Sequence, residues 1–461
     1  MTEPQIVWLR RDLRLADQPA FAAAAALGPV IPVYVLDDET PKHRRMGAAS
    51  RWWLHHSLAS LSADLAAQGS RLILRRGRAA DVLNALAAET CASTVHALRH
   101  VEPWWRLAEK DLTNLLDLSL HDGLYLQPPG LLTTGGGTPY KIFTPFKNAL
   151  FASIDQFDPL PVPELTSPAN WPASDSLDSW QLLPTPPDWA TGFGAVWTPG
   201  SATALARMAE FCDDLGPYRQ DREQPSIDGT SRLSPHLHFG EVSPRQLWHS
   251  VDGMVGEGPS CFRAELAWRD YAAGLVQQFS DYGARSYRDG YDERLWRDPA
   301  TDDHAATDLA AWQQGRTGYP IVDAGMRQLW KTGWMHNRVR MIAASFLVKH
   351  LLIDWRHGEE WFWDTLVDAD YASNATNWQW VAGTGIDSNM FVRIMAPLSQ
   401  SEKFNAGAYI RHFVPELAGL DDPYIHDPEH FGCRPPGYPK PLIGHREGRE
   451  RALAAYRLFR G

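Results

Sequence analysis

Four short segments of the chain hold side chains that suit the binding of a nucleotide or a base. The first, residues 229–235, reads GTSRLSP, in which a glycine and three hydroxyl side chains precede a proline. Hydroxyls and free backbone N–H groups near a helix start can hold a diphosphate. Serine or threonine before a helix is more often an ordinary N-cap, so the segment alone leaves both roles open.

The second segment, residues 265–269, reads ELAWR. On a helix, Glu265, Trp268 and Arg269 share one face because they are spaced i, i+3 and i+4. A carboxylate, an indole and a guanidinium on one face can hold a nucleobase by hydrogen bonding, stacking and phosphate contact. An ordinary surface ion pair between Glu265 and Arg269 is the simpler alternative.

The third segment, residues 333–341, reads GWMHNRVRM. Helical geometry places Asn337 and Met341 on one face, while Arg338 and Arg340 point elsewhere. The Asn337 amide both donates and accepts, which suits the edge of a base. Asparagine is also common as an N-cap, which is the alternative here.

The fourth segment, residues 366–380, reads LVDADYASNATNWQW. Asp368 and Asp370 are close enough to share a ligand, but neither a histidine nor a third carboxylate is spaced to complete a metal site. We therefore predict no metal, and expect hydrogen bonds from a ring N–H or from ribose hydroxyls instead. Trp378 and Trp380 lie so near this acidic turn that packing alone is a poor explanation for them.

The elements that must position these segments fall into an α/β part and a helical part. Strand-like runs lie at 5–10, 30–36, 71–75 and 94–98, and helical runs lie between them at 17–27, 50–68 and 79–90. This alternation predicts a parallel, doubly wound sheet, whose sites lie at the carboxyl ends of the strands. No GxGxxG follows the first strand, so the ordinary dinucleotide fingerprint is absent.

Nine prolines between residues 158 and 199 indicate a connector without regular structure. After residue 200, apolar residues recur at helical spacing, which predicts a nearly all-α domain. We therefore divide the chain into an α/β domain (1–130), a proline-rich interdomain linker (131–199) and a helical domain (200–461).

The composition excludes several classes of protein. A net charge of −11 excludes a uniformly basic nucleic-acid coat but allows a local basic groove. The four cysteines are far apart, and the first residues lack the apolar run of a signal peptide. No uninterrupted apolar stretch reaches ~18 residues. We therefore expect a cytoplasmic protein without a membrane span. Its 20 tryptophans are more than core packing usually needs.

With these segments in view, the chain resembles the photolyase/cryptochrome family over nearly its whole length. The matching stretches read IVWLRRDLRLADQPAF, DGTSRLSPHLHFGEVSPRQ, AELAWRDY, TGYPIVDAGMRQLWKTGWMHNRVRMIAASFLVKHLLIDWRHGEEWF and DADYASNATNWQWVAGTG. Within the family, the chain is most similar to class I photolyases that act on cyclobutane pyrimidine dimers (CPDs). The resemblance implies that the helical domain binds FAD.

The resemblance implies a blue-light-driven repair enzyme, a carbon–carbon lyase of the deoxyribodipyrimidine photo-lyase type, acting as a monomer on UV-damaged DNA. Excited FADH⁻ would pass an electron to a flipped-out CPD and split it into two pyrimidines. A cryptochrome-type signalling flavoprotein and a (6-4) photolyase are the alternatives. Asn374 stands where plant and insect cryptochromes carry Asp or Cys, and Asn337 follows His336 where (6-4) photolyases carry a second His. Asn374 therefore favours a repair enzyme over a cryptochrome, and Asn337 counts against the (6-4) branch.

The resemblance also assigns residues to four roles. The FAD contacts would be Tyr218, Thr230, Ser231, Arg232, Leu233, Ser234, Phe262, Arg340, Asp368, Ala369, Asp370 and Asn374. The lesion would be held by Glu265, Trp268, Asn337, Met341 and Trp380. Electrons would reach the flavin through Trp296, Trp355 and Trp378, and DNA phosphates would contact Arg222, Arg269, Arg338 and Arg393. Within these sets, Arg340 should pair with Asp368, Asn374 should face flavin N5, and Glu265 should hydrogen-bond the dimer.

A second, antenna chromophore is expected near the carboxyl ends of the strands. Residues 44–58, RRMGAASRWWLHHSL, resemble the loop and helix beside a deazaflavin site. Trp104 and Trp105 stand where folate-binding relatives carry Asn-Glu. Both features favour 8-hydroxy-5-deazaflavin over methenyltetrahydrofolate. The alternative is that Trp52 and Trp53 only pack their helix against the sheet.

Overall fold

A five-stranded parallel sheet forms the first part of the protein. The computed structural model describes residues 3–154, 158–291, 295–388 and 391–460. The strands are β1 (Gln5–Leu9), β2 (Val30–Leu36), β3 (Ile73–Arg76), β4 (Thr94–Leu98) and β5 (Asp117–His121), in the order β3-β2-β1-β4-β5. Every neighbouring pair is parallel. The predicted doubly wound sheet is thus confirmed, and the chain changes direction across the sheet between β1 and β4.

Helices cover both faces of this sheet. The helices of this part are α1 (Pro19–Leu27), α2 (Ala48–Ala67), α3 (Ala79–Thr90) and α4 (Pro103–Thr113). Val7 and Leu9 of β1 belong to the core that includes α1 and α2, whereas Ile6 and Trp8 belong to the core that includes α3 and α4. A strand buried on both faces must be apolar throughout, which explains why β1 and β2 read as continuous apolar runs.

The proline-rich segment lies along the sheet part and is tied to it by backbone hydrogen bonds. Val30 N donates to Thr166 O at 2.8 Å, and Asp175 N donates to Leu74 O at 2.8 Å. The stretch predicted as linker also contains a helix, α5 (Phe143–Ser153), and a short 3₁₀ turn. Helix α5 packs against the long helix α10 (Glu257–Gln278) of the second part.

The second part is helical, as predicted. Its helices are α6 (Ser201–Asp213), α7 (Tyr218–Asp221), α8 (Ser234–His238), α9 (Pro244–Ser250), α10 (Glu257–Gln278), α11 (Asp303–Gln313), α12 (Pro320–Thr332), α13 (Asn337–Ser345), α14 (Trp355–Thr365), α15 (Tyr371–Ala382), α16 (Pro397–Lys403), α17 (Gly407–Phe413) and α18 (His445–Arg460). A single π-helical turn, Phe346–His350, extends α13. Among the described residues, no helix is both long and apolar enough to cross a membrane.

The two parts meet where α2 packs against α14. Gly47 lies so close to α14 that a Cβ there would be 2.2 Å from the carbonyl oxygen of Trp363. Trp363 Nε1 donates to Arg45 O at 2.7 Å, and Ser50 Oγ donates to Leu366 O at 3.2 Å. Asp270 on α10 adds a second tie, because its buried carboxylate accepts from the backbone N–H of Leu126 at 2.8 Å.

Candidate functional site

The buried carboxylate of Asp368 joins three of the segments singled out in the sequence. Its Oδ2 accepts from Arg340 Nη2 at 2.8 Å and from Ser234 Oγ at 2.6 Å. The side chain is 3% exposed. Its Oδ1 is buried and has no hydrogen-bond partner among the described residues. A buried acceptor of this kind fits a ligand N–H or hydroxyl, which is what FAD would bring to the site.

Trp334 completes the wall beside this carboxylate. The guanidinium groups of Arg232 and Arg340 each lie 5.8 Å from the centre of its ring system. Its Nε1 donates to Ser234 Oγ at 3.4 Å. Both arginines also pair with carboxylates, Arg232 with Asp228 at 2.9 Å and Arg340 with Asp368, so this wall presents an indole beside two charge-balanced guanidinium groups. Trp334 is not among the residues chosen from the sequence, although it lies within residues 333–341.

The loop that holds Thr230 and Ser231 opens onto a cleft of about 290 Å³. Tyr218 and Phe211 form the apolar part of its lining, and Arg207 supplies a cation whose Nε donates to Ser231 O at 2.8 Å. The remaining lining residues are Glu210, Asp214, Asp221, Asp228 and Gly229. The cleft therefore offers hydroxyls, a cation and an aromatic ring, which fit part of an extended nucleotide.

Glycine is required in this loop at residue 229. A Cβ there would lie 2.6 Å from the carbonyl carbon of Asp221, so a larger residue would push the loop away from α7. Arg232 has φ +49°, a left-handed conformation that turns the chain before the buried residue Leu233. The loop leads into α8, which has only five residues. The helix start predicted from the sequence is therefore present but short.

Phe262 lies in an aromatic cluster rather than beside Asp368. Its ring is 5.1 Å from Phe211 and 6.0 Å from Tyr218. Because both neighbours line the cleft, Phe262 acts on the cleft by packing its wall. Tyr218, Thr230 and Ser231 thus line one cleft, and Phe262 packs against its aromatic wall.

Asp370 has a different set of partners from Asp368. It caps α15 by accepting from Ser373 N at 2.8 Å, and it pairs with Arg11 of the sheet part at 2.9 Å. Burial alone would raise the pKa of Asp370, but Arg11 and Arg269 hold it below the ordinary value. Asp370 is therefore an ionised link between the two parts. Ala369 is buried beside it and lines the interdomain cleft described below.

Asn374 is buried one turn into α15, and its amide is held by α14. Nδ2 donates to the backbone carbonyl and to Oε1 of Glu359, both at 3.0 Å. Glu359 in turn pairs with Arg44 of the sheet part at 2.6 Å. Neither Glu359 nor Arg44 was among the residues chosen from the sequence.

The residues predicted to hold the lesion lie on three helices, of which α15 packs against both α10 and α13. Glu265 on α10 pairs with Arg222 at 2.8 Å. Burial raises the pKa of Glu265, and Arg222 opposes this. Asn337 is exposed at the first residue of α13, with Met341 one turn further along, and Trp380 is half-buried on α15. The protonated carboxyl is the form that can donate to a carbonyl, whereas the pair with Arg222 favours the ionised form.

Trp268 is covered on one face by a residue outside all the predicted sites. The rings of Trp268 and Phe143 are stacked, with centroids 3.5 Å apart and planes at 7°. Phe143 begins α5, inside the stretch that was predicted to be linker. Any base that packs against Trp268 must therefore contact the edge or the uncovered face of that indole.

The arginines predicted to bind DNA do not all lie together. Arg338 and Arg222 both contact Glu223, and Arg222 also contacts Glu265. These two arginines and two glutamates form one connected group. Arg393 is exposed, on the segment before α16.

Arg269 lies apart from that group. It donates to the backbone carbonyl of Leu124, and its guanidinium is 4.9 Å from the ring centre of Tyr125. The Arg269 side chain therefore contacts the sheet part. Its position differs from that of Arg222 and Arg338, and the proposal of a phosphate contact there has no support from its surroundings.

The three tryptophans predicted to carry electrons lie on segments of the helical part that contact one another. Trp378 is buried against Gly358 of α14, where a Cβ would be 2.1 Å from its ring. Trp355 begins α14, is fully buried, and donates from Nε1 to Ser286 Oγ at 3.0 Å. Trp296 is half-buried, and the next residue, Arg297, forms a β-bridge with Ile353, two residues before Trp355.

A second cleft lies between the two parts, at the carboxyl ends of β1 and β2. Its lining includes Tyr34, Arg44, Met46, Trp104, Trp105 and Trp363. Trp52 and Trp53 do not line it: Trp53 is fully buried and donates to Glu241 Oε1 at 3.0 Å, while Trp52 packs against Phe193. The packing alternative therefore holds for these two indoles, while the loop before them contributes to the cleft.

Two protein-family models match the chain. The model described as DNA photolyase matches residues 5–164, and the model described as the FAD binding domain of DNA photolyase matches residues 262–458. The deoxyribodipyrimidine photo-lyase of Agrobacterium fabrum is 46% identical over 99% of this chain and 98% of its own.

Two solved structures are similar over nearly the whole chain. The class III photolyase of Agrobacterium tumefaciens has a TM-score of 0.93 at 46% identity, covering 100% of this chain and 98% of its own. An archaeal photolyase from Sulfolobus tokodaii, solved with two FAD molecules, has a TM-score of 0.85 at 29% identity, covering 99% and 100%.

Proposed function

The chain belongs to the photolyase/cryptochrome family, and from that premise we propose that it repairs UV-damaged DNA by light-driven splitting of cyclobutane pyrimidine dimers. The observation that carries the choice of lesion is Glu265. Its half-buried carboxyl lies one turn from Trp268, so a hydrogen-bonding group and a flat apolar surface occur together. A pair of joined pyrimidines presents carbonyls and flat ring faces that match both.

The cofactor in this proposal is FAD, which supplies the light-excited electron that acid–base side chains cannot supply. Asp368, Arg340 and Ser234 would hold it at one end, and Tyr218, Thr230 and Ser231 would hold it at the cleft. The free Oδ1 of Asp368 is the best support for this placement, because a buried acceptor without a partner is costly in an empty site. Phe262 would shape the cleft by packing its wall.

For the target bases to reach Glu265, they must leave the duplex, which is easier for a damaged and poorly stacked pair. Arg222 and Arg338 are the proposed contacts for a DNA phosphate, which would compete with Glu223 and Glu265 for the two guanidinium groups. At a net charge of −11, the rest of the surface would repel DNA. Binding is therefore expected to be local and to weaken as salt rises.

Glu223 offers a direct check of this phosphate contact. The Glu223→Gln variant removes the carboxylate that contacts both Arg222 and Arg338. We expect its affinity for dimer-containing DNA at low salt to rise roughly three- to tenfold, with a steeper loss on adding salt. Fluorescence anisotropy with a labelled duplex measures both.

The matched control is Glu89→Gln, which removes a carboxylate paired with Arg75 in the sheet part. It changes the net charge by the same amount and is expected to leave the affinity unchanged. An equal gain in both variants, or no gain with Glu223→Gln, would contradict the phosphate contact.

The interdomain cleft is our candidate for the antenna site. Its place at the carboxyl ends of the strands and its lining by Tyr34, Trp104 and Trp105 support a flat aromatic chromophore. The Sulfolobus tokodaii photolyase, solved with two FAD molecules, is a relative in which a light-harvesting cofactor is implied. We retain 8-hydroxy-5-deazaflavin as the predicted chromophore, and extraction with mass spectrometry identifies it.

The expectation of a class I enzyme stays a prediction beside the similarity to a class III photolyase. The lesion assignment is tested by illuminating the purified, chemically reduced protein with two DNA substrates, one with a CPD and one with a (6-4) lesion. We expect restored pyrimidines from the CPD substrate alone. Bound FAD without loss of dimers under blue light would overturn repair and favour the signalling alternative, and turnover of the (6-4) substrate alone would overturn the choice of lesion.

A further inference from the structure

Glu359 and Arg44 form a buried ion pair between the two parts of the molecule. Arg44 follows β2, Glu359 lies on α14, and the distance from Nη1 to Oε2 is 2.6 Å. The carboxylate is fully buried. Arg44 also donates to Gly283 O at 2.5 Å and lines the interdomain cleft. A fully buried carboxylate needs several partners to offset its desolvation, so Glu359 is expected to have another partner besides Arg44.

That other partner is Asn374. Its Nδ2 donates to Glu359 Oε1 and to the backbone carbonyl of Glu359, both at 3.0 Å. A backbone carbonyl can only accept, so the NH₂ end of the amide must face α14. The amide oxygen of Asn374 therefore points away from α14. Its orientation is fixed by its partners and leaves one acceptor free.

We infer that Glu359 is a positioning residue that, with Arg44, fixes the Asn374 amide with its oxygen towards the flavin and so favours reduced over oxidised flavin. The inference rests on the proposed function and on the expectation, from the family resemblance, that Asn374 faces flavin N5. Reduced flavin carries a hydrogen on N5, which an amide oxygen accepts. In oxidised flavin N5 is itself an acceptor, so the same oxygen is left opposite a lone pair.

A carboxylate at residue 359 can accept hydrogen bonds from both Arg44 and Asn374 at the same time. Its two oxygens each accept, one from Arg44 and the other from Asn374. Glutamine has the same shape but only one acceptor. Because Arg44 has donors and no acceptor, the oxygen of a glutamine would turn to Arg44 and its NH₂ group would meet the NH₂ group of Asn374. Asn374 would then keep only its hydrogen bond to the backbone carbonyl of Glu359, and its orientation would be held less firmly.

The test compares flavin reduction in matched variants at one fixed potential, followed by absorbance. Burial raises the pKa of Glu359 to about 7, with Arg44 opposing and Glu360 adding to the rise, so the measurement is made above that pH. We expect Glu359→Gln to shift the ratio of reduced to oxidised flavin about tenfold towards oxidised, the loss of one hydrogen bond to a charged network. Glu360→Gln, a change at the exposed neighbouring carboxylate, should leave the ratio unchanged.

Removal of Arg44 should reverse the effect of Glu359→Gln on the ratio of reduced to oxidised flavin. In the double variant Arg44→Met/Glu359→Gln, the glutamine oxygen is free to accept from Asn374, and the wild-type ratio should return to within about twofold. A purely structural role for Glu359 predicts additive damage instead. An unchanged ratio in Glu359→Gln, an equal shift in Glu360→Gln, or no recovery in the double variant would overturn the inference.

Two other results are possible: the wild-type chain retains no FAD, or the Glu359→Gln variant does not fold. If the wild-type chain retains no FAD, the proposed function fails rather than the inference. If Glu359→Gln does not fold, the comparison moves to Arg44→Met/Glu359→Gln and Arg44→Met/Glu359→Leu. Leucine has no acceptor, so the second variant should lie about tenfold further towards oxidised flavin. Equal ratios in that pair would overturn the inference.

Discussion

The Trp378→Phe variant should retain FAD but lose almost all photoreduction of the flavin by an external reductant. Trp378 is a buried member of the proposed relay, packed against Gly358 and 5.0 Å from the ring of Phe362. Phenylalanine keeps an aromatic ring in the same space but gives up an electron far less readily than indole. Repair by chemically reduced protein should persist, because the relay supplies electrons before the repair step.

Trp312→Phe is the control for the packing part of this change. Trp312 is fully buried, lies 6.2 Å from Trp378 and donates from Nε1 to Ala343 O at 3.0 Å. The same substitution there should cost comparable stability, on the order of 1–3 kcal/mol, and leave photoreduction intact. Equal loss of photoreduction in both variants, or loss of repair in chemically reduced Trp378→Phe, would argue against a relay through Trp378.

The second large effect is expected from Arg340→Met. This variant leaves the 3%-exposed carboxylate of Asp368 with Ser234 as its one remaining partner among the described residues. Removing one member of a buried ion pair strands a charge, which costs about 3 kcal/mol in the free energy of unfolding. The site should then lose its match to FAD, because the carboxylate that would hold the cofactor is no longer fixed by Arg340. We expect a protein purified with little flavin, together with a lower midpoint in denaturant.

Arg327→Met provides the comparison. Arg327 is 21% exposed, almost the same as the 22% of Arg340, and it also pairs with a carboxylate, Glu416, at 2.7 Å. Glu416 is 32% exposed, so water replaces the lost partner and the cost should stay below about 1 kcal/mol. A similar loss of stability in both variants, or full flavin content in Arg340→Met, would exclude the proposed role of the Arg340–Asp368 pair.

The sheet was predictable because its strands are buried on both faces and read as apolar runs. The predicted runs 5–10, 30–36 and 94–98 agree with β1, β2 and β4 to within one residue. The exception is β5, with the sequence DLSLH, which is partly exposed at the edge of the sheet and lacks such a run. Helix α5 was missed because the neighbouring prolines suggested a connector throughout.

Site residues could be predicted from the sequence only where they lie in short recognisable motifs. The Arg340–Asp368 pair follows the expectation from the family resemblance, and its 2.8 Å contact is present. Glu223, Trp334 and Phe143 could not be found this way, because their roles come from contacts with residues distant in the sequence. The position of Arg269 against Leu124 has the same cause: helical spacing places it beside Glu265, while the neighbouring sheet part decides what it contacts.

The stack of Phe143 on Trp268 bears on how this chain can be recombined with its relatives. A chimera joined at residue 130 would take its antenna unit from one parent and both stacked rings from the other, and would leave the pocket wall intact. A chimera joined at residue 164, where the match to the first family model ends, would replace Phe143 with the donor's residue. The first junction exchanges the sheet part, with its contacts from Arg11 and Arg44 to the helical part, whereas the second also exchanges part of the proposed lesion pocket.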